Sequence, residues 1–437
     1  MKYPAVILAA GEGRRLRKAG REPKPLHRLL GLTLIERAIL SCREIGINEF
    51  YVVVGYEKEK VIRHVEEIGN KYGVKVNIIE NLEWKKGNGL SLFVALLHVK
   101  KPFFLLMCDH VFDIEIFKEF KERVKGKYCY LAVDENIDKV IDLKEATKVK
   151  IKGNDIVSIG KEIKDYNAVD MGLFFCQPYI FSAIKKAIEK GDSSLTGGIK
   201  ELVKEGKIKA IKFDGKFWID VDTPENMEMA KKYLLASLIK EEDGYISYHI
   251  NRKISTRISE KLSYFDISPN TITVISFLIA TFASFLFTFG KILYTILAGI
   301  LIQLSSIIDG CDGEIARLKF KTTPYGAWFD TILDRYADLL IVAGISYGYW
   351  LSHRTSFALI LALFSIAGFI LSSYSTKEYI LRFKKKFNEN FLYRIAKRDT
   401  RLFVIFIGSL FNLAFEFMVA TAILHHISII WNFIRKS

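Results

Sequence analysis

The run Asp309-Gly310-Cys311-Asp312-Gly313-Glu314-Ile315-Ala316-Arg317, followed by Gly326, Asp330 and Asp334, sets four aspartates in the most apolar part of a 437-residue chain. Positions 309, 312, 313 and 316 share one face of an α-helix, and so do 326, 330 and 334. Two consecutive helices joined by a short turn can therefore point four carboxylates at one another. Carboxylates at membrane depth are costly, and the simplest use for four of them is a cage for a divalent metal. Only Arg317 and Arg335 lie near enough in sequence to neutralise them.

Outward from this run the chain stays apolar. Of 64 Lys and Arg and 49 Asp and Glu, only 28 fall from Ser263 onward, and Ile267–Gly290, Ile292–Ile308, Ser356–Thr376 and Leu402–Phe415 carry no charge. A membrane helix needs roughly 20 such residues. Six membrane helices are predicted, at about 270–289, 292–316, 326–350, 356–375, 401–413 and 414–433; the last two could also form one long tilted helix, with Glu416 as the single charge between Leu402 and Asn432. Basic residues sort by loop: Arg252–Lys261, then Arg317, Lys319 and Lys321, then Lys377–Arg401, then Arg435 and Lys436 lie on one side, against Lys291 and Arg354 on the other. By the positive-inside rule both termini and the N-terminal half are cytoplasmic, in the cytoplasmic membrane. The same bias accounts for the net charge of +15 without nucleic acid, for which no module is seen. Just before the first helix, Ile246, Ile250, Ile254, Ile258 and Leu262 recur every fourth residue among Arg252, Lys253, Arg257 and Lys261, as in a basic helix lying on a membrane surface. Five scattered cysteines (Cys42, Cys108, Cys129, Cys176, Cys311) lack metal-ligand spacing and point to a reducing compartment.

Before about residue 232 the pattern is different. Short apolar runs (Ala5–Ala10, Phe50–Val54, Val76–Ile79, Phe103–Met107, Tyr130–Val133) alternate with helical patterns, which predicts an α/β domain with a largely parallel sheet. Ala5–Ala10 is too short for a signal peptide and reads as a buried first strand. It runs into Leu8-Ala9-Ala10-Gly11-Glu12-Gly13-Arg14-Arg15-Leu16. Gly11 and Gly13 let backbone amides approach phosphates closely, and Arg15 with Lys24, in Pro23-Lys24-Pro25-Leu26, supplies cations for a triphosphate. The loop lacks the third glycine of a dinucleotide fingerprint and the Gly-Lys-Ser/Thr of a Walker loop.

Residues 3–232 resemble the nucleotidyltransferase superfamily that makes nucleotide sugars and CDP-alcohols, through L-A-A-G-x-G-x-R-L followed by P-K-P-L. The resemblance implies a Rossmann-like α/β fold and a nucleotide site that includes Leu8, Ala10, Gly11 and Gly13, with Arg15 and Lys24 acting on the phosphates. It also implies that Gly87-Asn88-Gly89-Leu90-Ser91 is the base-reading loop, with Asn88, Gly89 and Ser91 at the nucleotide. Asp109 matches the family's metal aspartate. Asp222, in Trp218-Ile219-Asp220-Val221-Asp222-Thr223-Pro224, matches its second ligand, with Asp220 as the alternative. Two carboxylates at the carboxyl ends of strands can hold Mg²⁺ over an α-phosphate.

Residues 244–437 resemble the CDP-alcohol phosphotransferases: D-x2-D-G-x2-A-R-x8-G-x3-D-x3-D matches at all eight fixed positions, and Ser268-Pro269-Asn270-Thr271-Ile272-Thr273 opens the first membrane helix as expected. The resemblance implies an all-α, six-helix, dimeric membrane enzyme. In it Asp309, Asp312 and Asp330 bind Mg²⁺ or another divalent cation, Asp334 binds metal or acts as general base, and Gly313, Arg317 and Gly326 bind the nucleotide, the two glycines by opening space against the backbone. The domains are then 1–232, a linker with a juxtamembrane helix at 233–262, and 263–437.

One half makes the donor that the other consumes, so CTP is the expected nucleotide. Such a fusion resembles bifunctional enzymes of heat-loving microbes that make CDP-inositol from CTP and inositol-1-phosphate, then pass the inositol-phosphate group to a second inositol-1-phosphate with release of CMP. An acceptor with its own phosphate needs cations near the cage: Arg398 and Arg401 at the mouth of helix five, or Lys384, Lys385, Lys386, Arg394 and Lys397, although positive-inside signalling alone also places such a cluster there. Lys161 and Asp170 are candidates to face the inositol ring. Two alternatives stand beside this reading. The acceptor could be a membrane lipid alcohol, or the first half could be an inactive binding module.

Overall fold

The structure, a computed structural model, describes residues 3–17, 22–140, 143–240, 243–384 and 397–436. It divides into two compact units, Met1–Tyr233 and Leu234–Ser437.

The first unit is built on a nine-stranded sheet in the order Lys75–Glu80, Glu49–Val54, Ala5–Ala9, Phe103–Met107, Ala168–Cys176, Cys129–Asp134, Ile208–Phe213, Asp155–Gly160, Lys148–Lys152. All five residues of Ala5–Ala9 are buried because helices cover both faces. Ala5, Ile7 and Ala9 enter one apolar cluster, and Val6 and Leu8 enter the other. The first four strands of that order pair in parallel, as do Ile208–Phe213 and Cys129–Asp134. Elsewhere the pairing is antiparallel. Lys148–Lys152 and Asp155–Gly160 form a hairpin whose two-residue turn needs the left-handed Gly153 (φ +64°), and a turn that short can only reverse the chain. A separate two-stranded ribbon pairs Trp218–Asp220 antiparallel with His110–Phe112 and sets Asp220 opposite His110.

The second unit is helical: α1 (Arg252–Leu262), α2 (Pro269–Phe287), α3 (Ile292–Leu318), α4 (Pro324–His353), α5 (Phe357–Phe383), α6 (Arg398–Leu410) and α7 (Ala414–Lys436). Two of the starts have a clear local cause. Ser268 and Thr323 cap α2 and α4 by accepting from the amides of Thr271 and Gly326, with proline in the first helical position. The apolar stretch from Leu402 is two helices, since Asn412 takes a left-handed conformation (φ +60°) between α6 and α7. α2 and α4 approach closely at Gly344, where an added Cβ would lie 2.2 Å from the Ser284 carbonyl oxygen; small residues serve this purpose in membrane packing.

Among the described residues, α2, α3, α5 and Ala414–Trp431 of α7 are long and apolar enough to cross a membrane. α4 has the length but carries Asp330, Asp334, Arg335 and Asp338, and the 13 residues of α6 extend only about 20 Å at 1.5 Å each. The outward faces are apolar, with Leu278, Phe282, Phe285 and Leu363 all exposed. The juxtamembrane isoleucine pattern is split: Ile246 is buried and Ile258 and Leu262 pack against a buried cluster. Ile250 and Ile254 face outward beside exposed Lys253, Arg257 and Lys261, whereas Asn251, Ser255, Ser259 and Ser263 are buried. The reason is Glu314 on α3, fully buried, whose carboxylate accepts from Ser255 Oγ (2.5 Å) and Ser259 Oγ (2.6 Å). A buried charge must find donors, and the serine stripe supplies them.

Candidate active sites

In the first unit, a cavity of about 450 Å³ opens at the carboxyl ends of the parallel strands. Its lining includes Leu8, Ala10, Gly11, Arg15, Lys24, Asn88, Ser91, Asp109, Lys161, Asp170, Asp220 and Asp222, so residues from seven separate stretches meet there. An added Cβ at Gly11 would meet nothing within 4 Å, which leaves its backbone open to a ligand. Gly13 has φ +63° and an added Cβ would lie 2.4 Å from Lys24 Cβ, so this glycine lets the lysine pass beneath the loop. Gly89 packs against the Ser194 backbone. Asn88 Oδ1 accepts from the Leu195 amide at 2.8 Å, and Ser91 Oγ accepts from Asn81 Nδ2 at 2.9 Å; these two side chains shape the loop that lines the cavity.

The acids converge on Lys24. Its buried ammonium bonds Asp109 Oδ2 and Asp222 Oδ1 and lies 3.6 Å from Asp220 Oδ1, while Arg15 Nη2 donates to Asp222 Oδ2 at 2.5 Å. Burial alone would lower the lysine's pKa, but the three carboxylates hold it above the ordinary value. Burial would raise Asp109, and Lys24 and His110 hold it below the usual carboxylate range. Asp220 goes the other way, pushed up to about 6 by burial and then by Asp109. His110, unremarked in the sequence, sits with Nδ1 2.9 Å from Asp109 Oδ1 and 4.0 Å from Asp220 Oδ1. Burial opposes its protonation, but Asp220 and Asp109 raise it to about 9. Asp109, His110 and Asp220 have ligand atoms within 4.8 Å of one another. Deeper in the same cavity Asp170, pushed up to about 6 by burial, accepts from the Gly172 amide at 2.7 Å. Lys161 is exposed and lies 3.4 Å from Glu145.

In the second unit, Asp309 from α3 and Asp330 and Asp334 from α4 bring carboxylate oxygens within 4.8 Å of one another. Asp312 stands beside this group and bonds Thr273 Oγ1 on α2 at 2.5 Å; Ser276 Oγ donates to Asp309 Oδ1 at 3.1 Å. Arg398 of α6 enters from the other side, with Nη1 2.6 Å from Asp334 Oδ1 and 3.3 Å from Asp309 Oδ2. Its Nε lies 3.2 Å from Asp338, which also meets Arg401 Nη2 at 2.6 Å and Arg335 Nη1 at 3.3 Å. Arg401, expected at the mouth of the helix, is instead buried behind Arg398, over the ring of Phe369 and 3.4 Å from His425. Arg317 Nη2 donates to the Leu238 carbonyl at 3.4 Å, and Gly326 sits in the first turn of α4 with its amide on Thr323 Oγ1. Lys384 is exposed. Lys385, Lys386 and Arg394 lie outside the described residues. Asp338 was not anticipated, although it continues the four-residue series 330, 334; Thr273 and Ser276 gave no signal beyond their place on the first membrane helix.

Both sites fit a divalent cation. Asp330 Oδ1 is buried without a hydrogen-bond partner among the described residues, and Asp220 Oδ1 also has no hydrogen bond there, only the longer ion-pair contacts to Lys24 and His110. Such orphaned oxygens are expensive unless something positive meets them.

Comparison with known proteins agrees with this division. Residues 5–184 match the family model for a MobA-like NTP transferase domain, and residues 266–432 match that for a CDP-alcohol phosphatidyltransferase. A bifunctional IPC transferase and DIPP synthase of Aquifex aeolicus is 36% identical over 98% of this chain and 97% of its own length. A protein with the same description from Thermococcus kodakarensis is 35% identical over 94% of this chain and 91% of its own. The solved inositol-1-phosphate CTP transferase of T. maritima is 29% identical, covering 53% of this chain and 96% of that one with a TM-score of 0.48.

Proposed function

We propose that this chain, which belongs to the family of bifunctional IPC transferases and DIPP synthases, makes CDP-inositol from CTP and inositol-1-phosphate in its first unit and consumes it in its second. The observation that carries the reading is the pairing, in one chain, of a carboxylate and cation site at the ends of parallel strands with a second one between apolar helices. In the first step an oxygen of inositol-1-phosphate attacks the α-phosphorus of CTP and pyrophosphate leaves. Arg15 and Lys24 neutralise the triphosphate, and the open backbone at Gly11 receives it. In the second step a hydroxyl of another inositol-1-phosphate attacks the inositol-bearing phosphorus and CMP leaves, giving di-myo-inositol-phosphate phosphate. Asp334 takes the hydroxyl proton, and Arg398 with Arg401 behind it offsets the charge of the acceptor's phosphate. Asp109 with Asp222 or Asp220, and Asp309, Asp312, Asp330 and Asp334, would hold divalent cations, which when bound neutralise phosphate oxygens and leave phosphorus more open to attack.

The test is the partition of the product. With CDP-inositol labelled in its inositol-phosphate group as donor, label in a water-soluble phosphodiester supports an inositol-phosphate acceptor, and label extracted into chloroform would mean a lipid acceptor. CTP should be preferred over UTP by the first unit, because the second requires a CDP-linked donor. Pyrophosphate release at equal rates from the two nucleotides would remove that link between the halves.

The loop charges support six spans with the second site facing the cytoplasm. Thr355 lies between α4 and α5, and Thr322 between α3 and α4. Thr355→Cys should therefore react with an impermeant maleimide on intact cells and Thr322→Cys should not; the opposite pattern would invert the topology.

A further inference from the structure

We propose that Leu238–Lys240 and Asp243–Arg252, from the segment between the two enzymatic halves, are a working part of the second site that positions its nucleotide-binding face, rather than a tether; this rests on the two-step reading above. The segment is bonded to two of the elements that carry that site, α3 and α6. On α3, Arg252 Nη1 donates to the Gly310 carbonyl (3.0 Å) and to Glu314 Oε1 (2.9 Å), so it grips the turn that presents Asp309, Asp312 and Gly313. The other edge of the same guanidinium is held by Asp243, with Nη2 and Nε at 3.0 and 3.1 Å from its two oxygens, a two-pronged geometry that fixes the plane of the group. One turn further along α3, Arg317 reaches the Leu238 carbonyl. On α6, Asp399 accepts from the Ser247 amide at 2.7 Å, and it is the neighbour of Arg398, which meets Asp309 and Asp334.

These contacts are built into the fold. Arg252 and Asp243 are mostly buried and Glu314 is completely so. An added Cβ at Gly244 would lie 2.0 Å from Asp399 Oδ1, so the chain is pressed directly against the start of α6. A tether has no need of a buried carboxylate satisfied by one arginine and two serines. A device that sets the spacing of α3 and α6 does, because a shift of about 1 Å in a reacting group costs roughly a hundredfold.

The experiment uses the full chain in detergent, supplied with CDP-inositol and inositol-1-phosphate for the second reaction and with CTP and inositol-1-phosphate for the first. Arg252→Gln should raise KM for CDP-inositol at least tenfold, and Arg252→Lys, which keeps the charge but loses the fork, should recover part of it. Pyrophosphate release by the first unit should be unchanged in both. Asp399→Asn, a change of similar shape, tests the α6 contact independently should the Arg252 variants not fold, and should also weaken transfer. KM and kcat for transfer within twofold of the unaltered chain in the folded variants would make the segment a tether and overturn the proposal. Failure of the unaltered chain to transfer from CDP-inositol would instead overturn the two-step reading itself.

Discussion

Asp109→Asn should lower CDP-inositol synthesis by about 10²–10³-fold, or roughly 3–4 kcal/mol at ~1.4 kcal/mol per tenfold, while transfer from supplied CDP-inositol continues at the rate of the unaltered chain. Among the site's acids Asp109 lies nearest both Lys24 and His110, bonded to Lys24 and 2.9 Å from His110 Nδ1. An amide there keeps the shape but leaves the two cations facing a neutral group. The charge lost is the one the proposed Mg²⁺ needs, so nucleotide binding should suffer less than turnover. Loss of synthesis should be read as rate at saturating CTP, with the melting temperature as the check on folding.

Asp334→Asn should give the complementary result. Its carboxylate shares the 4.8 Å cluster with Asp309 and Asp330 and lies 2.6 Å from Arg398 Nη1. An amide can neither take the acceptor's proton nor contribute charge to a bound cation. Transfer should fall by at least about 10³-fold on the two counts together, each of which commonly supplies 10²-fold or more. CDP-inositol should accumulate from CTP while no phosphodiester forms. If either substitution removed both reactions from a folded protein, a shared site would have to replace two separate ones.

The four aspartates were legible because helical periodicity carries them: spacings of three and four on two consecutive helices fix a common face before any packing is known. The Gly11–Lys24 stretch was legible for a similar reason, since strand, loop and cations follow one another along the chain. What sequence did not give is what arrives from far away. Asp220 comes to His110 through a two-stranded ribbon joining positions 110 residues apart, and no local pattern encodes such a pairing. Arg398 is expected near the cage from its charge and its place at the mouth of the fifth membrane helix, but its pairing with Asp309, 89 residues away, is not encoded locally. The isoleucines before the membrane half mark one face of the helix in sequence, while Ser255, Ser259 and Ser263 recur at the same four-residue spacing. The preference was settled by Glu314, whose buried charge outweighs a few partly buried methyl groups. Asp312 shows the opposite lesson. Periodicity placed it on the correct face, and a threonine on α2 then drew it aside from the other three.

The central claim, two separate sites linked by a diffusible CDP-alcohol, is tested most directly by mixing the purified Asp109→Asn and Asp334→Asn proteins with CTP, Mg²⁺ and inositol-1-phosphate and following the products by phosphorus NMR. Neither protein alone should make the phosphodiester, and the mixture should make it after a lag in which CDP-inositol appears. A mixture in which CDP-inositol accumulates and no phosphodiester forms, with both proteins folded, would contradict the claim.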